Sequence, residues 1–217
     1  MTDTPRLPSL VPFLCGAAVV LAVSACGDKT PASVQEAAGA LTGGKSLAFD
    51  DGADVCFREV SALLPAETKV QEISSYFGED GKLQVCTVDY QDPQDPRKLV
   101  GQRFDAHSGK FSEPYQIELS VSGNAADFRL EDYLVPLSQV DTSGLGATVE
   151  GLKPSLDEVY GSYRWVSVNL ESPGPFNEVH TLRLNLEGRL AANDVRNTGS
   201  AWLALGGNEV VRNALLP

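Results

Sequence analysis

Two separated stretches of the chain run through the same succession of residue types, and a chain that repeats itself is expected to fold twice into one motif. In the first, Cys86-Thr-Val-Asp-Tyr90 and Asp92-Pro93 lead to Arg103-Phe104-Asp105 and Ser108-Gly109-Lys110-Phe111. In the second, Val166-Ser-Val-Asn-Leu170 and Ser172-Pro173 lead to Arg183-Leu184-Asn185 and Glu187-Gly188-Arg189-Leu190. Upstream, Leu64-Pro65 and Val70 align with Lys153-Pro154 and Val159 if the first copy holds an extra hairpin. Gly78-Glu79-Asp80-Gly81 has the composition of its turn.

Periodicity gives each copy the same elements. Ala53, Cys56, Phe57, Val60, Leu63 and Leu64 fall at helical spacing, with Asp51 as a cap and Pro65 as a stop. Leu145, Val149 and Leu152 form a second stripe, which Lys153-Pro154 is expected to end. Cys86, Val88 and Tyr90 alternate with polar residues, as do Val166, Val168 and Leu170, and Leu182, Leu184 and Leu186. Tyr115 to Val121 and Ala201 to Leu205 also have strand composition. The expected fold is α+β: a tandem duplication of a helix followed by an antiparallel β-meander, with the helices packed on sheet faces. The alignment sets Cys56 against Leu145 and Cys86 against Val166, so a helix–strand contact is expected at both pairs.

The N-terminal stretch sets the address. A short polar start with Arg6, an apolar run from Val11 to Val23 and small residues before a cysteine have the layout of a secretory signal. Pro8, Ser9 and Pro12 leave that run short of the roughly 20 clean apolar residues of a membrane-spanning helix. Val23-Ser24-Ala25-Cys26 resembles the lipobox of bacterial prolipoproteins. The resemblance covers the N-terminus alone. It implies cleavage before Cys26, lipid (a diacylglyceryl group and an acyl chain such as palmitate) on that cysteine, and a stable membrane anchor. Gly27, not an acidic residue, follows the cysteine, which implies the outer membrane, facing the periplasm. The organisation read from the chain is a leader over 1–25, a Gly/Ala/Ser/Thr-rich tether over 26–50, and helix-plus-sheet units over 51–125 and 126–217.

On this reading Cys15 leaves with the leader and Cys26 carries lipid. Cys56 and Cys86 remain, an even pair in an exported chain, and are expected to form a disulfide. An apolar content of 42% is that of a folded protein. A net charge of −12 argues against nucleic acid, which needs a basic footprint, and would suit a basic protein partner.

Chemistry is sparse. His107 sits in a turn-like Asp105-Ala-His-Ser-Gly109 and His180 in a strand-like stretch, at non-equivalent places in the repeat. No nucleophile elbow, Ser-x-x-Lys set or phosphate-binding loop occurs. Two isolated cysteines without histidines do not make a zinc site. No catalytic, cofactor-binding or metal-ligating residue is assigned. Asp92-Pro93-Gln94-Asp95-Pro96 and Pro173-Gly174-Pro175-Phe176 occupy matching loops. Proline-stiffened loops lose little entropy on binding, so Pro93, Asp95, Pro96, Pro173, Pro175 and Phe176 are the expected partner contacts. Trp165, Trp202, Tyr160, Tyr163 and Phe176 concentrate aromatics in the second half, where they are expected to fill the core, with a role for some as interface anchors the alternative.

Tandem helix-plus-sheet units in an exported protein resemble the β-lactamase inhibitory protein and small barrel-assembly lipoproteins in architecture, with no motif in common. The sequence therefore reads as a lipid-anchored periplasmic binding protein (an inhibitor, immunity protein or envelope-assembly accessory) rather than an enzyme. An envelope hydrolase with an unrecognised constellation and a carrier of an apolar ligand are the alternatives.

Overall fold

The computed structural model describes residues 46–47, 49–121, 125–174, 177–206 and 209–217. The expected leader, the Cys26 lipidation site, nearly all of the tether, Pro175 and Phe176 lie outside the described residues.

The chain folds as β1 (Ser46–Leu47), α1 (Val55–Leu63), β2 (Lys69–Phe77), β3 (Leu83–Gln91), β4 (Leu99–Asp105), β5 (Lys110–Phe111), β6 (Tyr115–Ile117) and β7 (Val135–Pro136). It continues as α2 (Leu145–Val159), β8 (Tyr160–Glu171), β9 (Thr181–Leu190), β10 (Arg196–Ala204) and β11 (Val210–Ala214). All described strands belong to a single sheet in the order β11-β10-β9-β8-β2-β3-β4-β5. β6 pairs with β4, β7 with β2, and β1 runs parallel to β8.

This overturns the expected tandem duplication of helix and meander. Among the described residues the fold is one large, mostly antiparallel sheet with two α-helices. β8 pairs with β2, so the sheet runs on without a break (Ile73↔Leu170, Ser74↔Asn169). The expected alignment matched Cys86 on β3 with Val166 on β8, yet β3 lies one strand further from the β8 seam than β2 does. The proposed turn at Gly78–Gly81 does form, with Gly81 at φ 74°, but it joins β2 to β3 as an ordinary step of the meander. Val166 is also half-buried rather than a core residue. A register shift between Trp165 and Ser167 changes the phase of β8 there.

Local signals explain the helices. α1 ends just before Pro65, as expected, and buries Cys56, Phe57 and Val60. Asp51 does not cap it; its carboxylate accepts the N–H of Leu83 (2.9 Å) and ties the helix entrance to β3. α2 does not stop at Pro154 but runs through it to Val159. Leu156, fully buried, continues the stripe of Leu145, Val149 and Leu152, and that burial outweighs the lost backbone hydrogen bond.

Both helices contribute to one continuous core. It joins Cys56, Val60, Leu145 and Leu156 to Ile73, Val88, Val168, Leu182, Leu184 and Leu203 of the sheet. Cys56 and Cys86 form the expected disulfide, with α-carbons 5.4 Å apart. Tyr160, Tyr163 and Trp165 are core residues, Trp165 stacking on Phe49 with centroids 6.1 Å apart. Trp202 is not: it stands half-buried on the opposite face.

Candidate binding face

A strand with one face on a core presents every second residue to the other side. In β9, Leu182, Leu184 and Leu186 enter the core, so Arg183, Asn185 and Glu187 face away from the helices. Their register partners continue this face: Asn169 and Arg164 on β8, and Trp202, Ser200 and Thr198 on β10, with Arg212 beside Trp202 on β11. Residues 160–217 contain five arginines and no lysine. Register places all five (Arg164, Arg183, Arg189, Arg196 and Arg212) on this face.

Arg183, Trp202 and Arg212 sit side by side on β9, β10 and β11. The Arg183 guanidinium carbon is 5.0 Å from the indole centroid and that of Arg212 is 4.5 Å. Cations at such distances are attracted to the ring face. Glu171 fixes the set from β8: Oε1 accepts from Arg183 Nη1 (2.9 Å) and Oε2 from Trp202 Nε1 (3.3 Å). Arg183 Nη2 donates to Ser200 Oγ (3.1 Å), which donates to Asn185 Oδ1 (2.8 Å). Asn185 Nδ2 then donates to Ser167 Oγ (2.7 Å), within reach of Asn169 Nδ2 (3.4 Å). Asn169 Oδ1 accepts the N–H of Ser75 on β2 (3.1 Å). A chain of hydrogen bonds thus crosses four strands and holds the indole in place.

Further along the face Glu187 accepts from Arg164 Nε (2.7 Å) and from Arg196. The hydrogen bond from Arg196, aided by that from Arg164, holds the Glu187 carboxyl below the usual carboxylate range. Arg164 also donates to Phe77 O (3.0 Å), joining β8 to the end of β2. A shallow cleft of about 420 Å³ lies here, lined by Glu79, Ser162, Arg164, Glu187, Arg189 and Arg196 among others.

The residues singled out in the sequence lie elsewhere. Pro93, Asp95 and Pro96 lie in the β3–β4 turn, and Pro173 lies early in the β8–β9 connection. Register brings these connections to the same end of the sheet, because the ends of β3 and β8 both flank the start of β2. Asp95 is occupied within its own turn, accepting from Arg97 Nε and Nη2 (both 2.9 Å). Those bonds hold its carboxyl well below the usual range. His107 and His180 lie at opposite ends of the sheet. Asp105 closes the His107 turn by accepting the His107 N–H and the Ser108 hydroxyl (both 2.9 Å). His180 Nε2 meets the Tyr133 carbonyl (3.1 Å).

Sequence reasoning missed Arg183, Arg212, Glu171 and Ser75. The readable signal was the run of arginines without lysine after residue 160, at the polar positions of alternating strands.

No protein-family model, curated protein sequence or solved structure matches the chain.

Proposed function

We propose that this is a lipid-anchored protein of a bacterial envelope that binds another protein through the face of β8–β11 turned away from the helices. One observation carries the reading: Trp202 is held between Arg183 and Arg212 and braced by Glu171. Tryptophan and arginine dominate the energetics of protein interfaces, and a side chain fixed beforehand loses little entropy when a partner docks. The lipobox-like Val23-Ser24-Ala25-Cys26 supports export, lipid on Cys26 and an outer-membrane location facing the periplasm. The Cys56–Cys86 bridge suits that oxidising compartment. An inhibitor, an immunity protein or an assembly accessory would each use such a face. The proline-stiffened loops around Pro93 and Pro173, at one end of the sheet, would extend the contact. A carrier of an apolar ligand has weaker support: between the helices and the sheet, where such a ligand would be enclosed, Val60, Leu145, Leu156, Val168 and Leu184 form one continuous buried core.

The test is crosslinking in intact envelopes followed by affinity capture of the tagged full chain, with Cys26→Ala and Trp202→Ala alongside. A single stoichiometric partner, reduced when Cys26 is replaced and lost when Trp202 is replaced, is the expected result. Recovery of the wild type alone, or a partner indifferent to Trp202, sinks the proposal.

A further inference from the structure

Resting on that reading, we infer that the occupant of the β8–β11 face is an acidic, extended segment of the partner protein. Net charge points the other way, so where the charge lies decides the matter. Residues 1–159 hold 24 acidic side chains against 12 basic ones, which is the whole net charge of −12. Residues 160–217 hold five of each. The arginines among them share one face of the sheet, whereas Glu178, Asp194 and Glu209 lie in connections; of these Asp194 reaches Arg189 (3.1 Å), and Glu79, from the β2–β3 turn, lines the cleft beside it.

The carboxylates on the face are already engaged. Glu171 serves Arg183 and Trp202, and Glu187 serves Arg164 and Arg196. Arg164 is nearly enclosed, at 15% side-chain exposure, and is used up in holding β8 to β2. Arg196 remains 70% exposed and Arg189 56% exposed, with Arg212 open to solvent over the indole. Arg189 spends Nη1 on Asp194, donating to its carbonyl (2.9 Å) and carboxylate (3.1 Å), and Arg196 spends Nη2 on Glu187, so each keeps further guanidinium donors for a ligand, as does Arg212. These three arginines mark the two ends of a track. Arg196 and Trp202 are on the same side of β10, about 20 Å apart at a rise of ~3.3 Å per residue, with Thr198 and Ser200 between them. An extended segment of about six residues spans that length. Carboxylates at its ends would meet Arg189 and Arg196 at one end and Arg212 at the other, with an apolar side chain on the Trp202 ring. Arginine forks bind carboxylates bidentately, which selects acidic side chains over other acceptors. An anionic membrane surface is disfavoured because Trp202 lies braced in the sheet, between two guanidiniums, instead of projecting from it.

The experiment titrates full-length protein in mild detergent with a fluorescent eight-residue oligo-glutamate. Oligo-lysine of the same length and vesicles of anionic lipid are the comparison arms. Oligo-glutamate is expected to bind saturably, more weakly as salt rises, and oligo-lysine not at all. Arg212→Glu and Arg196→Glu should each weaken binding about tenfold or more, whereas Arg58→Glu, on α1, should change it less than about twofold. Because Arg196 and Arg212 are solvent-facing, circular dichroism should confirm that these variants fold. No saturable oligo-glutamate binding, equal binding by the variants, preference for oligo-lysine, or binding to vesicles alone would each overturn the inference. A partner captured from envelopes whose binding survives Arg212→Glu would overturn it too, while leaving the protein-binding function standing.

Discussion

Ser75 and Val168 exchange two hydrogen bonds through a single hydroxyl. Ser75 Oγ donates to the Val168 carbonyl (2.6 Å) and accepts the Val168 N–H (3.0 Å). The β2–β8 ladder pairs Ile73 with Leu170 and Ser74 with Asn169. At the next position the Ser75 hydroxyl takes the place of the main chain and continues the seam. Ser75 is only 3% exposed, so water cannot replace it. Ser75→Ala should leave a buried N–H and carbonyl unpaired and cost about 2–3 kcal/mol. Urea denaturation should give a lower midpoint at constant slope. An unmoved midpoint would mean that the seam is held by apolar packing alone.

The disulfide spans a sequence separation of 30 between fully buried cysteines. Its removal frees the unfolded chain and unpins α1 from β3. By loop-closure entropy, Cys56→Ala with Cys86→Ala should cost about 3–4 kcal/mol. Thermal denaturation of the double variant against wild type, with and without reductant, checks this. The wild type should fall toward the variant when reduced, and the variant should not respond.

What could be read in advance was local. The Cys56–Cys86 pair, the end of α1 before Pro65 and the alternation of Leu182, Leu184 and Leu186 each follow from residues close together or from simple parity. Sheet continuity was not legible, because it depends on Ser75 and Asn169, which read as ordinary polar strand residues. The apparent repeat misled for a related reason. Two meanders both alternate with period two, so offsets by a whole strand still match apolar with apolar. The bulge at Trp165–Ser167 then moved Val166 out of the core. The binding face was half legible: the arginines were visible in the sequence, but Arg183, Trp202 and Arg212 meet only because three strands bring them into register.

Asp89 faces Glu72 across the β2–β3 pair. Burial, and then the Glu72 charge, push its carboxyl up to about 6. In the unfolded chain the same group ionises near its ordinary value of about 3.9. Between these values the folded protein keeps a proton that the unfolded chain has released. The contribution is therefore full below about pH 4 and is lost as pH rises through about 6. Asp89 is partly exposed, so solvent screening leaves about 1 kcal/mol. Asp89→Asn should be more stable than wild type by that amount at about pH 7.5 and no more stable at about pH 4. Urea melts of both proteins at the two pH values decide it; an equal gain at both would rule out titration as the cause.

Gly199 lies against the end of the chain. A methyl group there would sit 2.5 Å from the Leu215 carbonyl oxygen and 2.6 Å from its α-carbon. Leu215 is buried in the core, and its carbonyl accepts the Tyr160 hydroxyl (2.6 Å), which in turn accepts from Asn197 Nδ2 (2.6 Å). Only a residue without a Cβ permits this approach, since the obstacle is backbone and cannot rotate away. Gly199→Ala should displace the last residues and cost about 2–4 kcal/mol, combining overpacking with the loss of Leu215 from the core. Leu215→Ala should cost a similar amount through its cavity. Because both substitutions remove the same docking, the double variant should be little worse than either alone, a coupling of about 1–3 kcal/mol. Hydrogen exchange should show early loss of protection in β11 in each. If the two effects simply add, Gly199 and Leu215 act independently, and the close approach is not what fixes the chain end.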